Sequence, residues 1–372
     1  MGVSNAMTVL KRLEGIAKRA LAVVLGVLFT RPGRRARATR LLKAPRSILL
    51  VRPDNRVGEA LLMTPLLEAL SRLHPTPRVD ILLHSKVKRV LEGHPGAHEV
   101  LALDRRALFL GPLAPGILPL RRRGYDVVVD CGNWEAPSVT AALVARLVGC
   151  AAAVIGPSQW PVGPLHDVTV TPLPDTRSEV AQRLHLLAPL GVNARISALS
   201  FRPVAASEAI TAFERALPNR PRAIINPGGR LGWRCVPLPV FAAAAARVVE
   251  MGGIPVVTWG PGEGPPIEAL AKACPGAVLA PATTLDELAF LMRRAALTVC
   301  NNTGPMHLSV ALGTPTLGLF LHMDVARWGH AYGPHRMLDL TDVEASTDAM
   351  AAAVTGALAQ MWRERVASAE EV

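Results

Sequence analysis

Short apolar runs that end in polar loops and lead into helical segments recur along this chain, and that alternation limits its fold more tightly than any other property. Ser47-Ile-Leu-Leu-Val51 runs into the turn-rich loop Arg52-Pro-Asp-Asn-Arg-Val-Gly-Glu59, after which a helix is predicted over about residues 60–73. A run this apolar predicts a buried first strand. Strands at 79–84, 100–103, 127–130 and 154–156 continue the pattern, and a long helix is expected within 173–191. A second set follows: strands at 223–226, 255–259 and 297–300, with helices at 237–252, 266–274 and 285–295, and a last helix over 348–367. Strands separated by helices imply parallel βαβ units and a doubly wound sheet. Such sheets place their sites at the carboxyl ends of the strands. At 372 residues two domains are the default, joined near 190–208, with a cleft expected between the two similar halves.

The net charge of +12 suggests nucleic acid until it is located. Residues 1–46 carry eleven Lys or Arg against the single acid Glu14, so +10 of the total belongs to this arm. A nucleic-acid-binding body is therefore disfavoured. In the arm, Lys11 and Lys18, like Arg12 and Arg19, are seven apart and share a helical face. The uncharged run, Ala20 to Phe29, is too short for the roughly 20 residues that span a bilayer, and no small-residue cleavage site follows it. A basic amphipathic helix lying on an anionic membrane surface fits this pattern, beside the alternatives of a solvated arm or an uncleaved anchor. The five cysteines are odd in number and unpatterned, which suggests free thiols in a reducing compartment, and no metal-ligand spacing appears.

Three stretches carry candidate chemistry. Cys300-Asn-Asn-Thr-Gly-Pro-Met-His307 reads as a strand end, a polar turn and a helix start, where free amides and the helix dipole favour an anion such as phosphate. An ordinary connection capped by Asn302 or Thr303 is the competing reading. Asn226-Pro-Gly-Gly-Arg-Leu-Gly-Trp-Arg234 lets backbone approach a ligand at Gly228 and Gly229, with Arg230 and Arg234 available to phosphates; a flexible loop with solvated arginines is the alternative. It matches neither the Walker loop nor G-x-G-x-x-G, which disfavours a nicotinamide-dependent epimerase or oxidoreductase. Glu263, in Gly260-Pro-Gly-Glu-Gly264, is a secondary candidate. In the first half Glu59 opens a helix just past the first strand, placed either to take a proton from a hydroxyl or simply to complement the helix dipole. Asn55, Arg56 and Gly58 flank it.

Together these blocks, Ile48 to Leu67, Asn226 to Pro237 and Asn301 to Pro315, resemble the family 9 glycosyltransferases, the ADP-heptose:lipopolysaccharide heptosyltransferases, over about residues 47–345. The resemblance implies an α/β protein of GT-B fold, two Rossmann-like doubly wound domains facing across a cleft. The implied division is a basic amphipathic arm (1–46), an acceptor domain (47–205), a donor domain (206–345) and a C-terminal helix (346–372) returning to the first domain. It implies an inverting, metal-independent transferase that needs no cofactor beyond its nucleotide-sugar substrate. The acceptor would be a lipopolysaccharide core or other lipid-linked saccharide, and the enzyme would sit peripherally on the inner face of the inner membrane. By the same resemblance Glu59 is the general base, Arg234 contacts the donor phosphates, Thr303 and Gly304 hold them through backbone N–H groups, and His307 is the motif histidine. Three positions depart from the family pattern: Glu59 for Asp, Arg234 for Lys and Asn302 for Asp. They keep a second reading open, a catalytically impaired GT-B protein that binds nucleotide sugars or acts as a scaffold.

Overall fold

A computed structural model describes residues 20, 24, 26, 34–103, 116–194, 198–203, 206–343 and 346–370. The amphipathic helix expected over residues 7–29 lies almost wholly outside these residues; a helix over Arg34–Leu42 is described.

The chain forms two compact units, Met1–Ser197 and Ala198–Val372, so the division falls inside the expected linker but ahead of the expected 205/206 boundary. The first unit holds β1 (Ser47–Arg52), β2 (Arg78–His84), β3 (Glu99–Leu103), β4 (Val127–Asp130), β5 (Ala153–Pro157) and β6 (Val168–Val170), in the order β3-β2-β1-β4-β5-β6. All pairings are parallel, with Ile48 opposite both Val79 and Val127. Central β1 is buried along its whole length, as a strand covered by crossover helices on both faces must be, and this is why its sequence is a continuous apolar run. The winding reverses between β1 and β4, which opens a crevice at their carboxyl ends.

The second unit repeats the winding with β7 (Arg222–Asn226), β8 (Ile254–Val257), β9 (Val278–Leu279), β10 (Leu297–Asn301), β11 (Thr316–Phe320) and β12 (Arg336–Asp339), in the order β12-β11-β10-β7-β8-β9. Here the reversal lies between β7 and β10, the strands that carry the two motif loops. Edge strands β6 and β12 escaped the sequence reading because Val168-Thr-Val170 and Arg336-Met-Leu-Asp339 lack the apolar run of a central strand.

Three helices differ from expectation. The helix expected over 60–73 is two, Val57–Leu61 and Thr64–Ser71. Pro65 has no N–H for the Leu61 carbonyl, and the Thr64 hydroxyl donates to that oxygen instead at 2.8 Å. The long helix expected within 173–191 is a short one, Glu179–His185, with a 3₁₀ turn at Ala188–Leu190 that contains Pro189. The C-terminal helix Thr347–Glu370, expected to return to the first domain, spends its apolar face in the second unit's core. There Val354, Leu358, Met361 and Trp362 cluster with Ala244, Ala245 and Val248 of the helix Leu238–Glu250. Gly253 makes room for this packing, since a Cβ on it would lie 2.4 Å from the Trp362 ring.

Candidate active site

In the second unit the crevice is built by side chains that tie the loops after β7, β8 and β10 together. Asn226, the last residue of β7, donates to the Thr258 hydroxyl at 3.0 Å. Asn301, the last of β10, is buried, and its amide donates to the Pro227 carbonyl at 2.7 Å while its Oδ1 accepts from the Val236 N–H at 3.0 Å. One side chain thus holds both ends of the glycine loop beside the turn that follows β10.

That turn opens the eight-residue helix Gly304–Ala311, with extended Thr303 as N-cap. The Thr303 side chain caps nothing; its hydroxyl donates to the Asn301 carbonyl at 3.3 Å. The Asn302 amide is taken by the Leu319 carbonyl and the Met306 amide by the Thr303 carbonyl, and Pro305 has none. Among the described residues this leaves the Thr303 and Gly304 amides without an acceptor at the positive end of a helix, an arrangement suited to an anion.

The glycines lie against this turn. A Cβ on Gly229 would sit 2.5 Å from Cys235 Sγ and 3.2 Å from Thr303 Cγ2, and one on Gly228 would overlap the Glu263 carboxylate. Glu263, only a secondary candidate by sequence, is therefore part of the same cluster, held by the Gly260 N–H at 2.8 Å. Gly229→Ala is expected to push the loop off the turn and weaken nucleotide binding at least tenfold; unchanged affinity by calorimetry would show that the loop is not a ligand wall. Arg234 is half-buried, its Nε is enclosed without a hydrogen bond, and no described carboxylate pairs with it. Arg230 is exposed. His307 is buried one turn into the helix, and its Nδ1 lies 2.7 Å from His330 Nε2. Burial, with His307 and His335 nearby, pushes the His330 pKa down to about 2, so that imidazole is neutral at physiological pH.

In the first unit Glu59 stands in the first turn after β1 but only 3% exposed. The sequence placed it at a helix start, as a proton acceptor or a complement to the helix dipole, and the structure adds that its carboxylate is ringed by arginines. Arg52 Nη2 reaches Oε2 at 2.8 Å, Arg56 Nη2 reaches Oε1 at 3.1 Å, and Arg183 Nη2 donates to Oε2. Arg183 also donates to the Glu59 carbonyl, to Asn133 Oδ1 and to Glu179. Arg52 further binds the Cys131 carbonyl and Asp54. Burial alone raises the carboxyl pKa, but Arg183, Arg52 and Arg56 outweigh it and hold Glu59 far below its ordinary 4.5. Arg56 is half-exposed, Asn55 is exposed and Gly58 is buried.

Sequence reasoning missed Asn301 as a tie and Arg52, Asn133 and Arg183 as the setting of Glu59. Arg183 lies four residues after Glu179, a spacing usually found on solvated helix faces.

Two doubly wound six-stranded units, the second with free amides against a glycine loop at its switch point, make this an α/β protein of GT-B fold. The signature of glycosyltransferase family 9 (heptosyltransferase) matches residues 119–351, more than half of the chain. The chain belongs to that family. It is 25% identical over 292 residues to lipopolysaccharide heptosyltransferase 3 of Escherichia coli, covering 73% of this chain and 82% of the relative. Solved structures with similar folds include a glycosyl transferase family 9 protein from Veillonella parvula (TM-score 0.69, 20% identity, 82% of this chain and 89% of that one). Another is the ADP-heptose lps heptosyltransferase II of E. coli (TM-score 0.66, 18% identity, 86% and 99%). A third is E. coli heptosyltransferase WaaC with ADP (TM-score 0.64, 17% identity, 86% and 99%). The family match begins beyond Glu59 and includes the whole second-unit cluster.

Proposed function

We propose that this glycosyltransferase moves a heptose or related sugar from a nucleotide-sugar donor, ADP-heptose in the first instance, to a lipopolysaccharide core or other lipid-linked saccharide. The observation that carries this reading is the pair of acceptor-less amides at Thr303 and Gly304, set against Gly228 and Gly229 by Asn301. Those amides and Arg234 would bind the donor diphosphate and stabilise the charge that develops on it as the glycosidic bond breaks. Glu59 would take the proton of the acceptor hydroxyl as that oxygen attacks the anomeric carbon from the opposite side, inverting it without a metal. The relatives named for lipopolysaccharide heptosyl transfer and for ADP support this choice of substrates.

The helix Arg34–Leu42 supports a place on the inner face of the inner membrane. Arg34 anchors it to Asp167, leaving Arg35, Arg37 and Arg40 exposed together with Lys43 and Arg46 that follow. Such groups are each worth about 1 kcal/mol near an anionic surface. Among the described residues no helix is long and apolar enough to cross a membrane.

Calorimetric titration with ADP, UDP and GDP, followed by transfer assays with ADP-heptose, tests the reading. ADP is expected to bind best, and failure of all three to bind would refute it. The ring of arginines on Glu59 favours one competitor, a nucleotide-sugar-binding protein without turnover; binding with neither transfer nor donor hydrolysis would establish that instead. Asn302→Asp restores the family's acid. It is expected to strengthen nucleotide-sugar binding relative to ADP by roughly 1 kcal/mol, because a carboxylate accepts from sugar hydroxyls more strongly than an amide. An unchanged ratio would remove Asn302 from the sugar's surroundings.

A further inference from the structure

The connection from β5 to β6, residues 158–167, carries the most exposed large apolar side chain among the described residues, Trp160 at 65%. Trp160 sits at the tip of a closed turn, in which the Val162 and Gly163 amides both donate to the Gln159 carbonyl, at 3.0 and 2.9 Å. A Cβ on Gly163 would lie 2.6 Å from the Ser158 carbonyl oxygen, so the turn is as tight as glycine allows. Val162 and Leu165 turn inward and cluster with Ala142 of the helix Val139–Val148. Trp160 does the opposite, and its indole N–H has no acceptor among the described residues. One exposed apolar side chain decides nothing by itself.

A second set of contacts falls on the same connection. A Cβ on Gly26 would lie 2.7 Å from Pro164 Cβ, so the N-terminal arm crosses the connection at that point. At the far end Arg34 Nε meets Asp167 Oδ1 at 2.5 Å, and Arg34 Nη2 donates to the Cys150 carbonyl at 3.2 Å. Pro164 is four residues from Trp160, so their Cα atoms are at most about 14 Å apart. Val24, two residues before the crossing, is 54% exposed. Just past Arg34 the side chains of Arg35, Arg37, Arg40, Lys43 and Arg46 are exposed, and no described carboxylate pairs with any of them.

We propose that Trp160 is the apolar anchor of a docking surface on the first unit, beside the arm that crosses it, and that the partner is the surface of an anionic lipid bilayer. The proposal rests on the membrane placement offered above and adds to it a residue far outside the arm. Chemistry selects the bilayer. Its surface is negative and its interior, just beneath, is apolar, so it takes unpaired basic groups and an indole together. An indole suits that boundary, because the ring enters the apolar layer while the N–H stays among the headgroups. An acidic protein surface satisfies the basic groups alone. The two parts also respond differently to salt, which screens the arginines and leaves the buried ring unaffected.

The full-length protein, W160A, W160F and R37E/R40E are sedimented with vesicles of phosphatidylethanolamine and phosphatidylglycerol, and with vesicles of phosphatidylcholine alone. The wild type is expected to prefer the anionic vesicles. W160A should lose about tenfold in partitioning at low and at high salt, with W160F between, whereas the loss in R37E/R40E should fade as salt rises. Brominated lipids should quench the fluorescence of the wild type more than that of W160F. Melting temperature and ADP affinity are expected to be unchanged in W160A, since the side chain is exposed and lies in the first unit. Equal partitioning of wild type and W160A, or equal quenching of wild type and W160F, would overturn the anchor while the arm's role stands. Self-association that W160A abolishes, with vesicle binding unchanged, would assign the indole to a protein contact and overturn it too. A wild type that ignores anionic vesicles overturns both the anchor and the membrane placement.

Discussion

Glu59→Gln is expected to lower glycosyl transfer by about 10²–10⁴-fold, the usual contribution of a positioned general base, while ADP binding to the second unit is unchanged. A mutant with full turnover would end the base assignment. The arginine ring makes the prediction sharper than a simple loss of a proton acceptor. A carboxylate held by Arg52, Arg56 and Arg183 is a weak base, because its ionised form is favoured over its protonated one. Of the three, Arg56 is 49% exposed, whereas the side chains of Arg52 and Arg183 are enclosed. For Glu59 to act as the base, Arg56 would have to leave Oε1 as the acceptor arrives, and Arg56→Ala should raise the basicity of Glu59 and shift the acid limb of the rate profile to higher pH. The same ring makes a stability prediction with a definite sign. Because the folded pKa is depressed, the stabilisation is fully present above the ordinary 4.5 and is lost as pH falls through that value toward the folded one. The gap in melting temperature between wild type and Glu59→Gln should shrink as pH drops below 4.5, and a gap that stayed constant would show that the arginines do not stabilise the ionised form.

Arg183→Ala should have the largest effect on stability. The side chain is fully buried and serves Glu59, Glu179 and Asn133 at once. Its removal takes one of three arginines from Glu59 and a 3.1 Å ion pair from Glu179 in the interior, and breaking a buried pair in this way costs about 3–5 kcal/mol. Urea denaturation followed by a probe in the first unit measures this, and a loss below about 1 kcal/mol would mean that water or the other arginines replace it. Arg183→Lys is expected to recover only part, since one ammonium cannot reproduce the fork that joins the two carboxylates and Asn133.

Much of the fold was legible because its causes are local. The apolar run at Ser47–Val51 declares a strand covered on both faces, and the glycine- and proline-rich segments after β1, β7 and β10 mark the strand ends where a doubly wound sheet keeps its site. Composition within one segment also placed the surplus charge in the arm. Where local signals competed, the reading erred by a turn or two, as at Pro65, whose missing N–H divides the helix after Glu59.

Other decisions belong to the tertiary structure. The apolar face of residues 347–370 says that the helix must be covered but not by which unit, and the space above Gly253 for Trp362 settles it. Asn301 has the composition of a turn residue, yet folded it is the buried tie between the glycine loop and the helix start. Glu59 shows the division most plainly. Its position after a strand and at a helix start follows from neighbours within a few residues, but its charge environment depends on Arg183, 124 residues away along the chain. Periodicity and capping act over a turn of helix, whereas burial and Coulomb interaction act through space, and only the folded chain brings those partners within reach.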